Sequence, residues 1–207
     1  MRRAWSRLAK RWSDWRPRLF GIEVGIHHTA WILVGIIALS TLKTPLVGLA
    51  AIASYLGLVL LHEFGHAYFS RRLGYEVFGI EVGAFHGTCW HETHGDERDE
   101  AIIAWGGVAA QLALALPLIA LDLVFALRGE PVLGGMVKIL GYGSVVLAAV
   151  NLIPVAPLDG ARAWRLPRIL WHERGRQRPR KPRAPKRNLP PKGADGNVVK
   201  GPWDPRS

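Results

Sequence analysis

Residues 56–70 read LGLVLLHEFGHAYFS, and this stretch decides the fold. An apolar run leads into it, His62, Glu63 and His66 interrupt it, and apolar residues resume beyond. Two histidines four residues apart lie on one face of a helix, one turn from each other. Both imidazoles can then bind a single ion, and zinc takes imidazole nitrogen readily. Glu63 stands beside them, placed to take a proton from water at the metal. A helix in water can carry His-Glu-x-x-His with its histidines simply exposed. Within a membrane that reading weakens. An ionisable group there costs about 3 kcal/mol or more unless it pairs, binds metal or lines a wet cavity.

The rest of the 207-residue chain supplies the membrane setting. Hydrophobic residues make up 49%, and the 27 Lys and Arg sit mostly at the two ends. An oily middle between basic termini points to a membrane protein and away from a nucleic-acid binder. Apolar stretches cover 24–42, 46–69, 101–127 and 132–158, each long enough to cross about 30 Å of hydrocarbon. The third contains Pro117 and Asp122; the fourth is rich in glycine and broken by Pro154 and Pro157. Small residues let helices approach closely in lipid, and the breaks need protein or water around them. Between the second and third stretches, Tyr75, Val77, Phe78, Ile80, Val82 and Phe85 partly alternate with polar or small residues, the pattern of a hairpin. The expected fold class is an α-helical integral membrane protein with about four core transmembrane helices and a short β-hairpin or sheet between spans two and three.

Three regions follow. Residues 1–20 form a basic leader in which Trp5, Leu8, Trp12, Trp15 and Leu19 recur at steps of three and four. That spacing suits an interfacial amphipathic helix, and a disordered basic leader is the alternative. The leader does not read as a cleaved signal peptide, because the apolar run after it is too long. Residues 21–165 form the core. Residues 166–207 form a basic, Pro-rich tail, expected to be disordered and cytoplasmic. With four spans, 24 of the Lys and Arg fall on the side of the termini and three on the other. The positive-inside rule then makes both termini cytoplasmic in a multi-pass protein of the cell membrane. The lone cysteine, Cys89, excludes an internal disulfide.

Zinc in a hydrolytic site needs a third protein ligand and an open position. The stretch NLIPVAPLDGARAW (151–164) places Asp159 after two prolines and before Gly160, where regular helix fails. By topology Asp159 and the His pair lie toward the same ends of spans four and two. A helix-terminal cap is the plainer reading of Asp159 alone.

Taken together, His62-Glu63-Phe64-Gly65-His66 and Asn151-x-x-Pro154-x-x-x-Leu158-Asp159-Gly160 resemble the motifs of the site-2 protease family of intramembrane zinc metalloproteases. The resemblance covers residues 20–165. It implies that His62, His66 and Asp159 bind one Zn2+ per chain and that Glu63 activates water. It also implies that Asn151 helps position substrate or the oxyanion. GGVAAQ (106–111) resembles the family's third-span Gly-x-x-x-Asn pattern with Gly107 in register, but Gln111 stands in place of Asn, one methylene longer. IHHTAW (26–31) resembles the start of the first core span, with His27 in register; an interfacial histidine is the alternative. No PDZ-like or CBS-like domain is expected, so the chain reads as a near-minimal core.

The implied activity is hydrolysis of peptide bonds in or near transmembrane segments of membrane proteins, for regulated proteolysis or for clearing membrane remnants. The hairpin stretch is a candidate for holding an extended substrate. Expected partners are a transmembrane protein or peptide substrate and membrane lipid, anionic at the basic ends, with no nucleic acid. No feature of the sequence sets an oligomeric state. The rival reading is a membrane zinc transporter or zinc-binding scaffold, which also carries intramembrane His and acidic residues. His86, Cys89, His91 and His94 cluster in the loop without a standard zinc spacing, leaving a second metal or a polar loop open.

Overall fold

A computed structural model describes residues 17–84, 86–92 and 96–173. The described residues open with strands β1 (Arg18–Leu19) and β2 (Ile22–Ile26), joined by Phe20 and Gly21 at positive φ, 51° and 73°. Two consecutive positive φ values are what a tight two-residue hairpin requires. The turn is fixed to the next long helix: Arg71 donates to the Phe20 carbonyl at 2.8 Å, and the Phe20 ring meets Phe64 edge-on.

Helix α1 (His28–Ser40) follows, then α2 (Pro45–Leu73). Strands β3 (Val77–Val82) and β4 (Gly87–His91) precede α3 (Glu97–Phe125). The last span, α4, runs Pro131–Asn151, and short helices α5 (Gly160–Ala163) and α6 (Arg165–Glu173) end the described residues. At 29 residues each, α2 and α3 are about 44 Å long, and the 21 residues of α4 give about 31 Å. Among the described residues these three helices are long and apolar enough to cross a membrane.

The structure bears out the expected fold class, with differences of detail. The stretch 24–42 does not form one span. Its first residues belong to β2, which pairs in parallel with β3 through Val24↔Ile80 and Ile26↔Val82. The alternation Ile22, Val24, Ile26 is a strand pattern, and Val24 and Ile22 are buried. Only 13 residues remain for α1, about 20 Å. The sheet therefore holds four strands, in the order β1-β2-β3-β4. Of the leader, residues 17–20 are described and include β1, so Leu19 lies in a strand and not on the expected helix; the rest of that helix, Trp5 to Trp15, lies outside the described residues. The stretch assigned to the tail starts as helix α6, and residues 174–207 lie outside the description.

The core forms where the sheet lies on α2. Ile22, Val24, Ile80 and Val82 pack against Leu58, Val59 and Ala67. Helix α2 ends at Gly74, whose φ of 95° suits glycine, while Tyr75 N–H reaches back to the Ser70 carbonyl. Helices α2 and α3 cross backbone to backbone: a Cβ on Gly65 would lie 2.8 Å from the Gly107 Cα. Small residues permit this approach where lipid offers no hydrophobic drive for association. Helix α4 departs from α-geometry over Val137–Gly143, a π-helical segment that packs Gly141 on Ile119 of α3. The far end of α3 is held by Asp122. Its fully buried carboxylate accepts from the Arg128 N–H and Tyr142 hydroxyl, both at 2.8 Å, and pairs with Arg128 Nε at 2.6 Å.

Candidate metal centre

The α2–α3 crossing carries the motif. His62, Glu63 and His66 are all buried on the side of α2 that faces α3 and the sheet. Asp159 is buried too, although it follows the irregular stretch after Asn151. Its Oδ2 lies 2.9 Å from His62 Nε2 and 3.1 Å from His66 Nε2, and the two Nε2 atoms are 3.0 Å apart. Three side chains from two segments thus bring one atom each to a common point.

The backs of the rings settle which atoms face that point. His66 Nδ1 lies 2.7 Å from the Ile103 carbonyl, which can only accept, so Nδ1 carries a proton. His62 Nδ1 lies 3.0 Å from Gln111 Oε1. Both Nε2 lone pairs are then free to meet the carboxylate oxygen. Three acceptors so close repel one another, and a bridging proton relieves only one pair. A divalent cation satisfies all three. Ligands of one tetrahedral zinc at about 2.0–2.1 Å lie about 3.3 Å from each other, close to the separations observed. The donor set, two imidazoles and one carboxylate, is one that zinc accepts.

Glu63 stands slightly back. The ligand atoms of His62, Glu63 and His66 all fall within 4.8 Å of one another. A Cβ on Gly87, the first residue of β4, would lie 2.6 Å from Glu63 Oε1, so the strand backbone touches the carboxylate. Asn151, the last residue of α4, brings Nδ2 to 3.4 Å from His62 Nε2. His62, Glu63, His66, Asn151 and Asp159 are therefore brought together, while His27 is not part of the group.

Other neighbours carried no sequence signal or a weak one. The Ile103 carbonyl is backbone and invisible to residue type. Gly107 leaves no space for a side chain, since a Cβ there would sit 2.6 Å from His62 Cε1 and 2.7 Å from His66 Nε2. Arg162 reaches Asp159 Oδ1 at 3.3 Å and Glu100 Oε2 at 3.5 Å, turning the other carboxylate oxygen to the histidines. Its signal was a base three residues after the aspartate. Trp164 Nε1 donates to the Leu152 carbonyl at 2.6 Å, and Trp105 Nε1 to the Ala163 carbonyl at 3.0 Å. Together they clamp the irregular stretch onto α3.

His27 caps α1, with Nδ1 2.8 Å from the Thr29 hydroxyl. Of the possible second cluster, Cys89 packs against the core and its thiol is pushed up by burial, with Glu63 adding to the shift. His91 is buried, donates from Nδ1 to the Glu92 carbonyl at 3.0 Å, and is held below its ordinary pKa by burial. His86 is exposed, and His94 lies outside the described residues. Among the described residues, the His, Cys, Asp and Glu side chains close enough to share an ion are His62, Glu63 and His66, with Asp159 against both imidazoles, and none of His86, Cys89 or His91 joins them.

Fold and site together define a mostly helical protein with three helices long and apolar enough to cross a membrane and a buried His-Glu-x-x-His cluster met by an aspartate, a group that could hold a metal ion. Comparison with known proteins leads to the same class. No family model matches the chain. Over 174 residues it is 28% identical to "Putative zinc metalloprotease sll0528" of Synechocystis, covering 77% of this chain and 44% of that protein. It is 27% identical over 150 residues to "Zinc metalloprotease MJ0392" of Methanocaldococcus jannaschii, covering 72% and 43%. In fold it matches the site-2 protease from Methanocaldococcus jannaschii with a TM-score of 0.56 at 23% identity, over 76% of this chain and 71% of that one. The chain is thus similar in sequence to these zinc metalloproteases and in fold to a site-2 protease, and it spans less than half the length of these two sequence relatives.

Proposed function

We propose that the chain is an intramembrane zinc metalloprotease, hydrolysing peptide bonds in or near the transmembrane segments of membrane-protein substrates. One observation carries the reading: a histidine and an aspartate 97 residues apart in sequence meet at 2.9 Å, with His66 at the same point. His62, His66 and Asp159 hold one Zn2+. Asp159 is the third ligand, because its Oδ2 touches both imidazoles. Glu63, whose carboxylate lies within 4.8 Å of both imidazoles, acts as the general base.

Bound zinc supplies Lewis acidity, bringing the ionisation of water toward pH ~7 and polarising a carbonyl. Glu63 takes the proton of the attacking water and returns it to the leaving amine, which completes cleavage of the C–N bond. The Asn151 amide donates to the oxygen on which charge develops. Strand β4 ends the sheet order and begins at Gly87 beside Glu63, so its outer edge suits an extended substrate added as a further strand.

The charge asymmetry supports a multi-pass protein of the cell membrane with both termini cytoplasmic. The site then opens toward the cytoplasm, which suits regulated proteolysis or clearance of membrane remnants. Trp171, Arg165 and Arg168 of α6 are exposed and suit an anionic headgroup layer. No observation among the described residues favours a transporter.

The test is zinc per chain in detergent-purified protein, with cleavage of a transmembrane peptide assayed alongside. Wild type should hold one zinc, and His66→Ala and Asp159→Ala should lose it. Glu63→Gln should keep zinc and lose cleavage. Zinc binding indifferent to Asp159→Ala would overturn the reading.

A further inference from the structure

We infer that Gln111 is a positioning residue of the metal centre: its side-chain carbonyl accepts the Nδ1–H of His62 and so leaves Nε2 of that ring free to bind metal. The inference rests on the reading of His62, His66 and Asp159 as zinc ligands and deepens it. Ile103, Gly107 and Gln111 follow one another at steps of four along α3 and therefore share a face. Each does one thing for the histidines of α2. The Ile103 carbonyl orients His66 at 2.7 Å, Gly107 admits both rings against the backbone, and Gln111 Oε1 reaches His62 Nδ1 at 3.0 Å.

The two acceptors differ in origin. Any residue at 103 supplies a carbonyl, whereas the acceptor behind His62 comes from a side chain that few residue types can replace. Gln111 is fully buried, so no solvent stands in for it. Its Nε2 has no hydrogen-bond partner. A buried amide that satisfies its oxygen and leaves its nitrogen unpaired is unfavourable for stability alone, where Leu or Met would fill the volume without that loss. The arrangement is understandable if the oxygen is what matters. With the amide turned the other way, its N–H would point at Nδ1 and drive the ring proton to Nε2. That proton would then lie among His66 Nε2 and Asp159 Oδ2, where the metal belongs. The extra methylene of Gln over Asn supplies the reach, since the shorter amide starts one bond farther from the ring.

The experiment measures zinc affinity of the full chain in detergent by competition with a chromogenic chelator. Thermal unfolding of each variant is followed in parallel. Gln111→Met keeps the volume and removes the acceptor, and should bind zinc roughly 10- to 100-fold more weakly while staying folded. Gln111→Glu keeps an acceptor and loses the unpaired N–H, and should bind at least as tightly as wild type. Gln111→Asn should fall between wild type and Gln111→Met. A packing role gives the opposite order, with Gln111→Met neutral and the buried carboxylate of Gln111→Glu worst. Equal affinity in wild type and Gln111→Met overturns the inference and leaves the metal centre standing. Absence of zinc from wild type overturns both. Should Gln111→Met fail to fold, equal affinity in wild type and Gln111→Asn overturns it instead.

Discussion

Replacing Gly107 by alanine tests the metal centre with a single methyl group. The added Cβ would lie 2.6 Å from His62 Cε1, 2.7 Å from His66 Nε2 and 2.8 Å from His62 Nδ1. Unbonded heavy atoms settle at about 3.5–4.0 Å, so both rings must retreat by roughly 0.7–1.4 Å. The helices cannot separate cheaply to make room, because Gly65 already meets the backbone of Gly106 and Gly107 one residue away. The rings must tilt instead, which breaks the alignment of two Nε2 atoms with Asp159. A misplacement of about 1 Å costs on the order of 100-fold in rate. Cleavage of a transmembrane peptide should therefore fall about 100-fold, and zinc affinity at least about 10-fold. Helix propensity acts with the opposite sign, since Ala is favoured over Gly by about 1 kcal/mol inside a helix. Gly57→Ala is the control: on α2, with nothing within 4 Å of its added Cβ, it should leave zinc binding and cleavage unchanged. Zinc titration by chelator competition and cleavage at saturating zinc separate binding from catalysis. A Gly107→Ala protein that matches wild type within twofold in both would refute the cradle of imidazoles on glycine.

Three further outcomes are expected. Asp122→Ala removes the acceptor of the Arg128 N–H and the Tyr142 hydroxyl and should lower unfolding stability by about 2–3 kcal/mol, with zinc per chain unchanged. Thermal melts paired with elemental analysis check it. Tyr55→Phe deletes the hydroxyl that lies 2.7 Å from the Gly83 carbonyl and 2.6 Å from that of Ala84. Losing about 1 kcal/mol of hold on the β3–β4 turn should raise KM for a peptide substrate more than it lowers kcat, and leave zinc affinity alone. His91 is held below its ordinary pKa by burial, against the smaller opposing influence of the Glu92 carbonyl and Glu100; Arg162 and His66 lower it further. The unfolded chain then binds the proton more readily than the folded one, so this residue contributes stability that is lost as pH falls through about 6.5. His91→Gln should flatten the pH dependence of unfolding in that range. An unchanged profile would show that His91 does not contribute.

The sequence alone determined the features that depend on near neighbours or on composition. A four-residue spacing puts His62 and His66 on one helix face whatever surrounds them. Apolar length marks the long spans, and Pro154 and Pro157 mark the break that frees Asp159 from a regular helix. Alternation announced β3, and the hairpin reading of that stretch implied a partner strand. In the first span, helix-like length concealed a strand: Ile22, Val24 and Ile26 alternate, but only the partner strand β3 makes that pattern count. The helix crossing decided the rest. It matched the Ile103 carbonyl to His66, the Gln111 amide to His62, and the bare Cα of Gly107 to both rings. It also brought Gly87 to Glu63 and Arg162 to the far oxygen of Asp159. These pairings join residues 24 to 49 positions apart or involve backbone atoms that residue type does not reveal, Arg162 excepted, whose partner is three residues away. Periodicity reports which face a side chain occupies. Only packing in three dimensions decides what stands opposite that face, and here that is what orients the metal-binding atoms.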